Sequence, residues 1–282
     1  MSEQGFAASL NKHYGRTGLG EAILAALRGA GKDLDTIVAD DLSPVVEFHI
    51  GGQAATLELA QLAGTGEGMR VLDVGSGLGG PARTLAQHYR CRVTGLDLTE
   101  EFCNVATMLT ELTGMQDRVS FLHGDALDMP FEDGSFDLVW TQQACMNIED
   151  KARLYQEVNR VLATGGRLVF QEVLGGSVMP LHFPVPWARE SALSYLPVPE
   201  KVHGLLAAAG FRELIWRDVT AQYLGEYRKL AAKTASSDPP PPLGVHLILG
   251  PDSGLMRQNV VRNLEEQRIV LVQCVLKKTA VR

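Results

Sequence analysis

The chain has 282 residues, and 26 Lys and Arg against 33 Asp and Glu give a formal net charge of −7. This length predicts one large domain or two small ones, with a core that needs neither disulfides nor metals. The acidic balance disfavours a general nucleic-acid binder, because such proteins need basic surface to displace counterions from phosphates. No apolar run approaches the roughly 18 residues that span a bilayer. The opening MSEQGFAASLNKHYG lacks the basic and apolar segments of a secretory signal, so none is expected.

The cysteines are scattered along the chain without any CxxC pair, at positions Cys91, Cys103, Cys145 and Cys274. This spacing indicates reduced, mostly buried thiols in a cytoplasmic protein and disfavours a disulfide framework or a zinc site. We therefore expect no bound metal. Only Cys145 falls near the predicted ligand-binding edge described below, which disfavours a site built from several thiols.

The distribution of glycine, proline and apolar residues divides the chain into three parts. Residues 1–64 show helical periodicity and are predicted to form an N-terminal helical cap. Residues 65–220 alternate short β-rich runs with helical stretches and are predicted to form the core domain. Residues 221–282 are predicted to contain a lid insertion, followed by a last strand that completes the core sheet.

Most of the β-rich runs are continuously apolar, as expected of parallel strands that are covered on both faces. The predicted strands span 70–74, 92–96, 119–123, 136–141, 167–173, 213–219 and 269–276. The predicted core helices span 80–89, 100–112, 151–162 and 200–209. Strands that alternate with helices indicate right-handed βαβ units and a parallel sheet. The run Thr164-Gly165-Gly166 and the residue Gly210 are expected to end the helices before them.

The last part of the chain contains the loop SSDPPPPLG at 236–244, whose prolines exclude a helix or sheet interior. A helical segment follows, with Met256, Val260 and Leu264 on one face. Long connections in compact domains are often functional, so this insertion is expected to close over a ligand.

The sharpest motif is the glycine loop VLDVGSGLGG at 71–80, which follows a predicted strand and opens a predicted helix. Its glycines allow a sharp turn and a close approach of a ligand to the main chain. Three interpretations compete: a purely structural turn, a nicotinamide-dinucleotide site, and a site for a nucleoside that carries an amino acid. Asp73 favours the third, because a carboxylate at this strand end repels a pyrophosphate and attracts an ammonium group.

Two further carboxylates lie at successive strand ends in the predicted sheet. Asp97 follows the second strand, 24 residues after Asp73, and is placed to accept hydrogen bonds from both hydroxyls of a ribose. Asp125 follows the third strand and is placed to accept from the amine of adenine, with the Ala126 amide beside it. Ligands of open α/β sheets bind at the carboxyl edge of the strands, where all three carboxylates are expected.

These residues resemble the class I S-adenosylmethionine-dependent methyltransferases over about 65–220. The resemblance rests on VLDVGSGLGG, GLDLTEEF, GDALDMPFEDGSFDLVW, TQQACMNIEDKARLYQEVNRVLATGGRLVFQE and LLAAAGFRELIWRDVT. Within that class, FHIGGQAAT and the C-terminal segment are most similar to the small-molecule group of sarcosine/dimethylglycine and tocopherol methyltransferases. The resemblance implies an α/β Rossmann-like fold, with a mostly parallel seven-stranded sheet, an antiparallel last strand, a helical N-terminal cap and a C-terminal lid insertion.

The resemblance also assigns residues to the cofactor S-adenosyl-L-methionine, with S-adenosyl-L-homocysteine as its product. The residues implied for the methionine portion are Asp73, Gly75, Ser76, Gly77, Gly79, Thr141 and Gln142. The residues implied for ribose and adenine are Asp97, Leu98, Asp125 and Ala126. The chain departs from the family at Gln143 and Asn147, where relatives commonly have an acidic residue and a histidine. A base at the second position is therefore not available here.

The catalytic candidates left by the sequence are His49, Glu172 and His182, each of which is also compatible with a structural role. Substrate-pocket candidates lie in the cap, after the fourth and fifth strands, and in the insertion. They are Tyr14, His49, Gln143, Asn147, His182, Trp187 and His246.

The sequence thus predicts in-line methyl transfer from S-adenosylmethionine to a nitrogen, oxygen or carbon nucleophile of a small molecule. We expect a cytoplasmic enzyme with no nucleic-acid or membrane partner, and the tail helix suggests a homodimer. Two alternatives stay open. A nicotinamide-dependent oxidoreductase is disfavoured because the chain has no YxxxK, and a non-catalytic S-adenosylmethionine-binding protein fits the departures at Gln143 and Asn147.

Overall fold

A single sheet organises the computed structural model, which describes residues 18–235 and 241–279. Its strands are β1 (Arg70–Val74), β2 (Arg92–Asp97), β3 (Val119–His123), β4 (Phe136–Gln142), β5 (Leu162–Gly175), β6 (Phe211–Asp218) and β7 (Ile269–Lys278). They are ordered β3-β2-β1-β4-β5-β7-β6. β7 runs antiparallel to both of its neighbours, β5 and β6, while the pairs from β3 to β5 are parallel. The prediction of a mostly parallel seven-stranded sheet with an antiparallel last strand is confirmed.

Helices cover both faces of the sheet and extend beyond it. They are α1 (Leu19–Gly29), α2 (Ala39–Val46), α3 (Gly52–Ala63), α4 (Gly80–Tyr89), α5 (Glu100–Leu112), α6 (Lys151–Val161), α7 (Pro199–Ala208), α8 (Thr220–Ala235), α9 (His246–Leu249) and α10 (Ser253–Glu265). Leu59 and Leu85 pack on one face of the sheet, from α3 and α4, and Leu154 and Val202 pack on the other, from α6 and α7. Burial on both faces explains why the central strands are continuously apolar.

The start of β5 differs from the sequence prediction. β5 begins at Leu162, which pairs with Phe136 of β4, and Gly165 with its positive φ of 76° lies inside the strand. Helix α6 has already ended at Val161, so the expected helix end at 164–166 is wrong. The other expected helix end is confirmed, because Gly210 follows α7 with a φ of 85°, which favours glycine.

The helices outside the sheet pack through the faces that their periodicity indicates. Leu19, Ile23 and Leu27 of α1 are buried in a cluster shared with α2, α5 and α9. Met256, Val260 and Leu264 of α10, which the sequence placed on one helical face, are also buried. Within 18–235 and 241–279, no helix combines the length and the apolar character needed to cross a membrane.

The sheet places its ligand-binding edge between β1 and β4. The chain runs from β1 outward to β2 and β3, and then returns to pair β4 with the other side of β1. At such a reversal the connections leave the two strand ends in opposite directions and open a crevice. The described pocket lies there, above the carboxyl ends of β1 and β4.

Candidate active site

The glycine loop after β1 forms the floor of the pocket. Gly75, Gly77 and Gly79 all have positive φ values, of 72°, 53° and 75°. A Cβ atom at Gly75 would lie 2.2 Å from the Cβ of Ala144, so no side chain fits there. Asp97 fixes the loop, because its carboxylate accepts hydrogen bonds from the Gly77 amide at 2.8 Å and from the Thr99 amide at 2.9 Å.

Asp73 places a carboxyl group without a partner in this floor. It is only 2% exposed, and its Oδ2 accepts no hydrogen bond from the described residues. Burial, and then the nearby charges of Asp97 and Glu47, raise the pKa of Asp73 to about 8. A buried carboxyl group that lacks a partner is costly, so this site is suited to a ligand that brings a cationic donor.

Gln142, at the end of β4, presents a hydrogen-bond donor to the pocket, whereas Asp73 presents an acceptor. Its Oε1 accepts from the Thr56 hydroxyl at 2.9 Å and from the Trp140 indole at 3.3 Å. Because an indole N–H can only donate, these bonds fix which end of the amide is oxygen. The Nε2 of Gln142 is buried and has no acceptor among the described residues. Ser76 Oγ likewise lacks a partner there. The floor therefore presents one acceptor and two donor groups to a ligand.

The segment 47–50 between α2 and α3, which we call the strap, crosses over this floor. Two glutamines attach it to the sheet through the backbone of Ile50. Gln143 Oε1 accepts from the Ile50 amide at 3.1 Å, and Gln171 Nε2 donates to the Ile50 carbonyl at 2.7 Å. The Phe48 ring lies close to Gly77, so that a Cβ atom there would be 3.3 Å from it.

The strap also carries a buried pair of titratable groups. The Nε2 of His49 lies 3.1 Å from the Gly52 carbonyl and 3.4 Å from Glu47 Oε2. Because a carbonyl only accepts, Nε2 carries the proton in the neutral ring. Burial lowers the pKa of His49 to about 4 and raises the pKa of Glu47 to about 7, with the Thr84 hydroxyl opposing the second shift. At neutral pH His49 is therefore an uncharged imidazole in the pocket wall.

The rest of the pocket wall is apolar or aromatic. The residues that form it are Ile50, Met146, Pro186, Trp187, Tyr227 and Val260. The Trp187 indole donates to Ser194 Oγ at 2.9 Å, which holds its ring in place. Tyr227 and Val260 come from α8 and α10, so the insertion contributes directly to the pocket.

Two residues that the sequence assigned to the site serve the turn after β4 instead. Thr141 donates from its hydroxyl to Glu172 Oε1 at 2.5 Å, and neither residue lines the pocket. Glu172 also accepts from the amides of Ala144 and Cys145, at 3.3 Å each. These bonds occupy both side chains beneath the turn, so neither side chain is free toward the described pocket, and the roles expected for Glu172 and Thr141 stay predictions.

Three other pocket candidates lie elsewhere in the molecule. His182 pairs at 2.8 Å with Glu266, the residue that follows α10. Asn147 is buried, and its amide donates to the carbonyls of Trp187 and Leu193, so it holds the loop that contains the pocket tryptophan. His246 begins the short helix α9 and does not line the pocket. None of these three side chains lines the described pocket, and their assignment to the substrate stays a prediction.

The residues predicted for the adenine end lie at the strand ends but do not line the described pocket. Asp125 is exposed and forms a turn, in which its Oδ1 accepts from the Leu127 amide at 2.8 Å. Ala126 is partly buried against the core, and the Leu98 carbonyl lies 3.2 Å from His123 Nε2. Their roles stay predictions. Tyr14 lies outside the described residues.

The sequence analysis missed several residues of the pocket. Phe48 lines the pocket and adjoins His49 in the chain, so the motif that contains His49 carried a signal for it. Glu47, which contacts His49 from behind the pocket wall, was missed as well. Met146 lies in the turn after β4, one residue after Cys145. It was missed because an apolar residue at this position does not by itself indicate a pocket. Tyr227 was also missed, because nothing in the sequence of the insertion shows which helical face turns toward the sheet.

The sheet order, the glycine loop and the carboxylates at the strand ends define a class I S-adenosylmethionine-dependent methyltransferase fold. Residues 72–170 match the family described as methyltransferase domain. This part of the chain is therefore similar to the methyltransferase domains of that family.

Relatives of known name match the same part of the chain. A sarcosine/dimethylglycine N-methyltransferase of Halorhodospira halochloris is 31% identical over 160 residues, which cover 57% of this chain and 57% of that protein. The chloroplastic tocopherol O-methyltransferase of Arabidopsis thaliana is 40% identical over 100 residues, or 36% of this chain and 29% of that protein. The match thus covers just over half of the first relative and under a third of the second.

Similarity of fold extends over nearly the whole chain. The crystal structure of the [4+2]-cyclase SpnF superposes with a TM-score of 0.68 at 22% identity, and the match covers 93% of this chain and 94% of that one. At this identity the likeness shows the fold alone, because one fold supports several chemistries.

The cofactor of this class is S-adenosylmethionine, and the pocket floor fits its amino-acid end. The Asp73 carboxyl is a buried acceptor that the α-ammonium group would satisfy. The Gln142 amide and the Ser76 hydroxyl are donors that the α-carboxylate would satisfy. The glycine loop leaves room because Gly77 has no side chain.

Proposed function

We propose that this protein transfers a methyl group from S-adenosylmethionine to a small-molecule acceptor. The observation that carries the proposal is the Asp73 carboxyl, which is buried in the pocket floor without a partner among the described residues. Its place at the end of β1 is where the fold binds its ligand. The relatives named above, which act on small molecules by name, support the same class of reaction.

In this proposal the ends of three strands hold the cofactor. Asp73, Ser76 and Gln142 bind the amino-acid end, over the turn formed by Gly75, Gly77 and Gly79. Asp97 binds the ribose, because a carboxylate that already accepts two amides still has lone pairs for hydroxyl donors. Leu98, Asp125 and Ala126 bind the adenine end in this proposal.

The bound cofactor supplies an already activated methyl group on a cationic sulfur. The chain has to hold the acceptor in line with that group and to exclude water. Such positioning supplies about 7–11 kcal/mol of the barrier. The strap and the walls formed by Trp187 and Tyr227 perform this task.

His49 is the proton acceptor in this proposal. Its Nε2 faces the Gly52 carbonyl, which leaves Nδ1 with a lone pair in a ring that lines the pocket. Nδ1 accepts the proton that an O–H or N–H acceptor loses as its new bond to carbon forms. His182 and Glu172 are not used, because their own bonds lie outside the pocket.

Calorimetric titration of the full chain tests the cofactor. We expect S-adenosylmethionine and S-adenosylhomocysteine to bind at one site, and Asp97→Asn to weaken both. NAD⁺ is the control ligand, since its pyrophosphate would meet Asp73. Binding of NAD⁺ without binding of either adenosyl compound would support the oxidoreductase alternative and contradict the proposal.

Binding of the cofactor without methyl transfer is a second candidate function. The fold neighbour SpnF is named as a cyclase, and Gln143 and Asn147 replace two residues common in methyltransferases. Incubation with methyl-labelled S-adenosylmethionine and a panel of small molecules separates the two functions. Label in at least one acceptor supports transfer, and tight binding with no labelled product over the panel supports the second candidate.

Two closing segments flank the core in this proposal. Residues 1–64 supply the strap, and residues 221–268 supply two helices of the pocket wall, which supports the division into cap, core and lid. A cytoplasmic location is supported by four buried free thiols. A homodimer is the remaining expectation, and light scattering after gel filtration tests it. The apolar face of α10 is already buried within the chain, with Leu255 left exposed.

A further inference from the structure

The part of the pocket beyond the cofactor floor has a specific chemical character. Its walls are the six apolar and aromatic residues defined above, contributed by the strap, the turn after β4, the loop after β5 and the insertion. Within 18–235 and 241–279, no lysine or arginine lines this pocket. Its one carboxyl group, Asp73, belongs to the cofactor floor.

Among the described residues, the two buried cations, Arg83 and Lys151, are hydrogen-bonded to groups outside the pocket. Arg83 donates through its guanidinium to the carbonyls of Leu78 and Ala106 and to the Thr110 hydroxyl. Lys151 donates to the carbonyls of Ile148 and Tyr195, beneath the turn after β4. Neither of these cations lines the pocket, so neither balances the charge of an anionic acceptor.

The polar groups in this part of the pocket are uncharged. His49 is a neutral imidazole, as described above, and Gln143 contributes an amide. Burial raises the pKa of Tyr227 to about 12, although the positive charge of Arg257 opposes the shift. Its hydroxyl therefore stays protonated. Neutral donors and acceptors in an apolar wall suit a neutral hydroxyl compound, because a buried ion without a partner is costly.

We infer that the acceptor is an uncharged molecule with a large apolar body and one hydroxyl group, which lies toward His49 and Tyr227. This inference rests on the proposed function and adds the class of acceptor. The acceptor oxygen attacks the methyl carbon, so that a carbon–oxygen bond forms and the carbon–sulfur bond breaks. The electron pair of that bond stays on sulfur, and the hydroxyl proton passes to His49 Nδ1.

Binding of four probes with the same naphthalene ring system to the full chain saturated with S-adenosylhomocysteine tests the inference. The probes are 2-naphthol, 2-naphthoate, protonated 2-naphthylmethylamine and 2-methylnaphthalene, each titrated by calorimetry at neutral pH. We expect 2-naphthol to bind at least tenfold more tightly than either charged probe. We also expect it to bind more tightly than 2-methylnaphthalene, which lacks the hydroxyl.

Two variants check that the preference arises in the pocket. Tyr227→Phe removes one hydroxyl and is expected to reduce the advantage of 2-naphthol over 2-methylnaphthalene severalfold. Val260→Lys places a cation in the wall and is expected to shift the preference toward 2-naphthoate. Leu255→Lys, on the exposed side of the same helix, is the matched control and is expected to change neither ratio.

The outcome separates the inference from the proposed function. If S-adenosylhomocysteine does not bind, the proposed function fails. If it binds while a charged probe binds as tightly as 2-naphthol, or while no probe binds, the acceptor class is wrong and the proposed function stands. The wild-type comparison decides this even where a variant fails to fold.

Discussion

Asp73 combines a cost to the fold with a role in binding. The buried carboxyl has no partner among the described residues, and its pKa is raised to about 8. Between the ordinary carboxyl pKa near 4 and this value, the folded chain holds a proton that the unfolded chain has lost. Its contribution to stability therefore falls as the pH rises through this range. A ligand that brings an ammonium group pairs with this carboxylate and so offsets the cost of burying it.

The variant Asp73→Asn separates these two effects. We expect the dissociation constant of S-adenosylhomocysteine to rise about 10- to 100-fold, because a charge-assisted hydrogen bond contributes roughly 1.5–3 kcal/mol. The unliganded variant should be more stable than the wild type at pH 8, by on the order of 1–3 kcal/mol. Calorimetry and urea unfolding measure the two quantities. Asp128→Asn, in an exposed loop, is the control. If Asp73→Asn loses stability as well as affinity, Asp73 has a merely structural role.

The same residue predicts a pH dependence of cofactor binding. Asp73 must be ionised to pair with an ammonium group, so affinity for S-adenosylhomocysteine should rise from pH 6 to pH 8 by at least tenfold. Ionisation of Glu47, whose pKa is raised to about 7, acts in the same direction. His49 stays neutral over this range, because burial lowers its pKa to about 4.

Titrations at both pH values in two buffers of different ionisation enthalpy measure the affinity and the proton released on binding. In Asp73→Asn both the pH dependence and the proton release should decrease. A wild-type affinity that stays constant from pH 6 to pH 8 would show that Asp73 is not the ammonium partner.

At the scale of elements, the strap links the helical cap to the sheet. Its position depends on the bonds from Gln143 and Gln171 to the backbone of Ile50. Gln143 itself has a positive φ of 53°, which turns its side chain out of the β4 direction. The glutamine that departs from the family pattern thus has a positioning role in this chain.

Gln143→Ala should loosen the strap without unfolding the protein. The Ile50 amide loses its acceptor, so its hydrogen exchange should accelerate at least tenfold, a change of about 1.4 kcal/mol. Affinity for S-adenosylhomocysteine should fall severalfold, because Phe48 no longer stays over Gly77. Gln222→Ala, on the exposed side of α8, is the control. Unchanged exchange at Ile50 in the first variant would exclude this role for Gln143.

The sequence predicted elements better than it predicted side-chain contacts. Burial on both faces produced the continuous apolar runs, so each of the seven strands was found with its order in the chain. The glycine loop and Asp73 were also found, because only a few backbone conformations allow that spacing. The contacts of Glu172 were not predicted, because a position in a strand fixes the edge of the sheet where a residue lies, whereas the turn after β4 decides which groups its side chain contacts. Tyr227 had no motif at all, since helix packing in the insertion sets its direction.

At the scale of the molecule, the last strand, β7, joins the edge strand β6 to the rest of the sheet. β7 pairs along its length with β5, from Ile269 opposite Gly175 to Lys277 opposite Arg167. Its other edge pairs with β6, which pairs with no other strand in the described part of the chain. Val275 and Leu276 are 2% exposed, so the strand also contributes to the core. The C-terminal residues therefore complete the core although they follow the insertion.

Truncation after residue 268 should consequently abolish the fold, because β6 loses its partner and β5 gains an open, apolar edge that favours aggregation. We expect this chain to be insoluble or to unfold without a cooperative transition, and not to bind S-adenosylhomocysteine. Truncation after residue 279 keeps all of β7 and should leave the melting temperature and affinity unchanged. Thermal unfolding of both chains followed by circular dichroism measures the difference. A cooperative transition in the shorter chain would show that the sheet from β3 to β5 folds without its antiparallel strand.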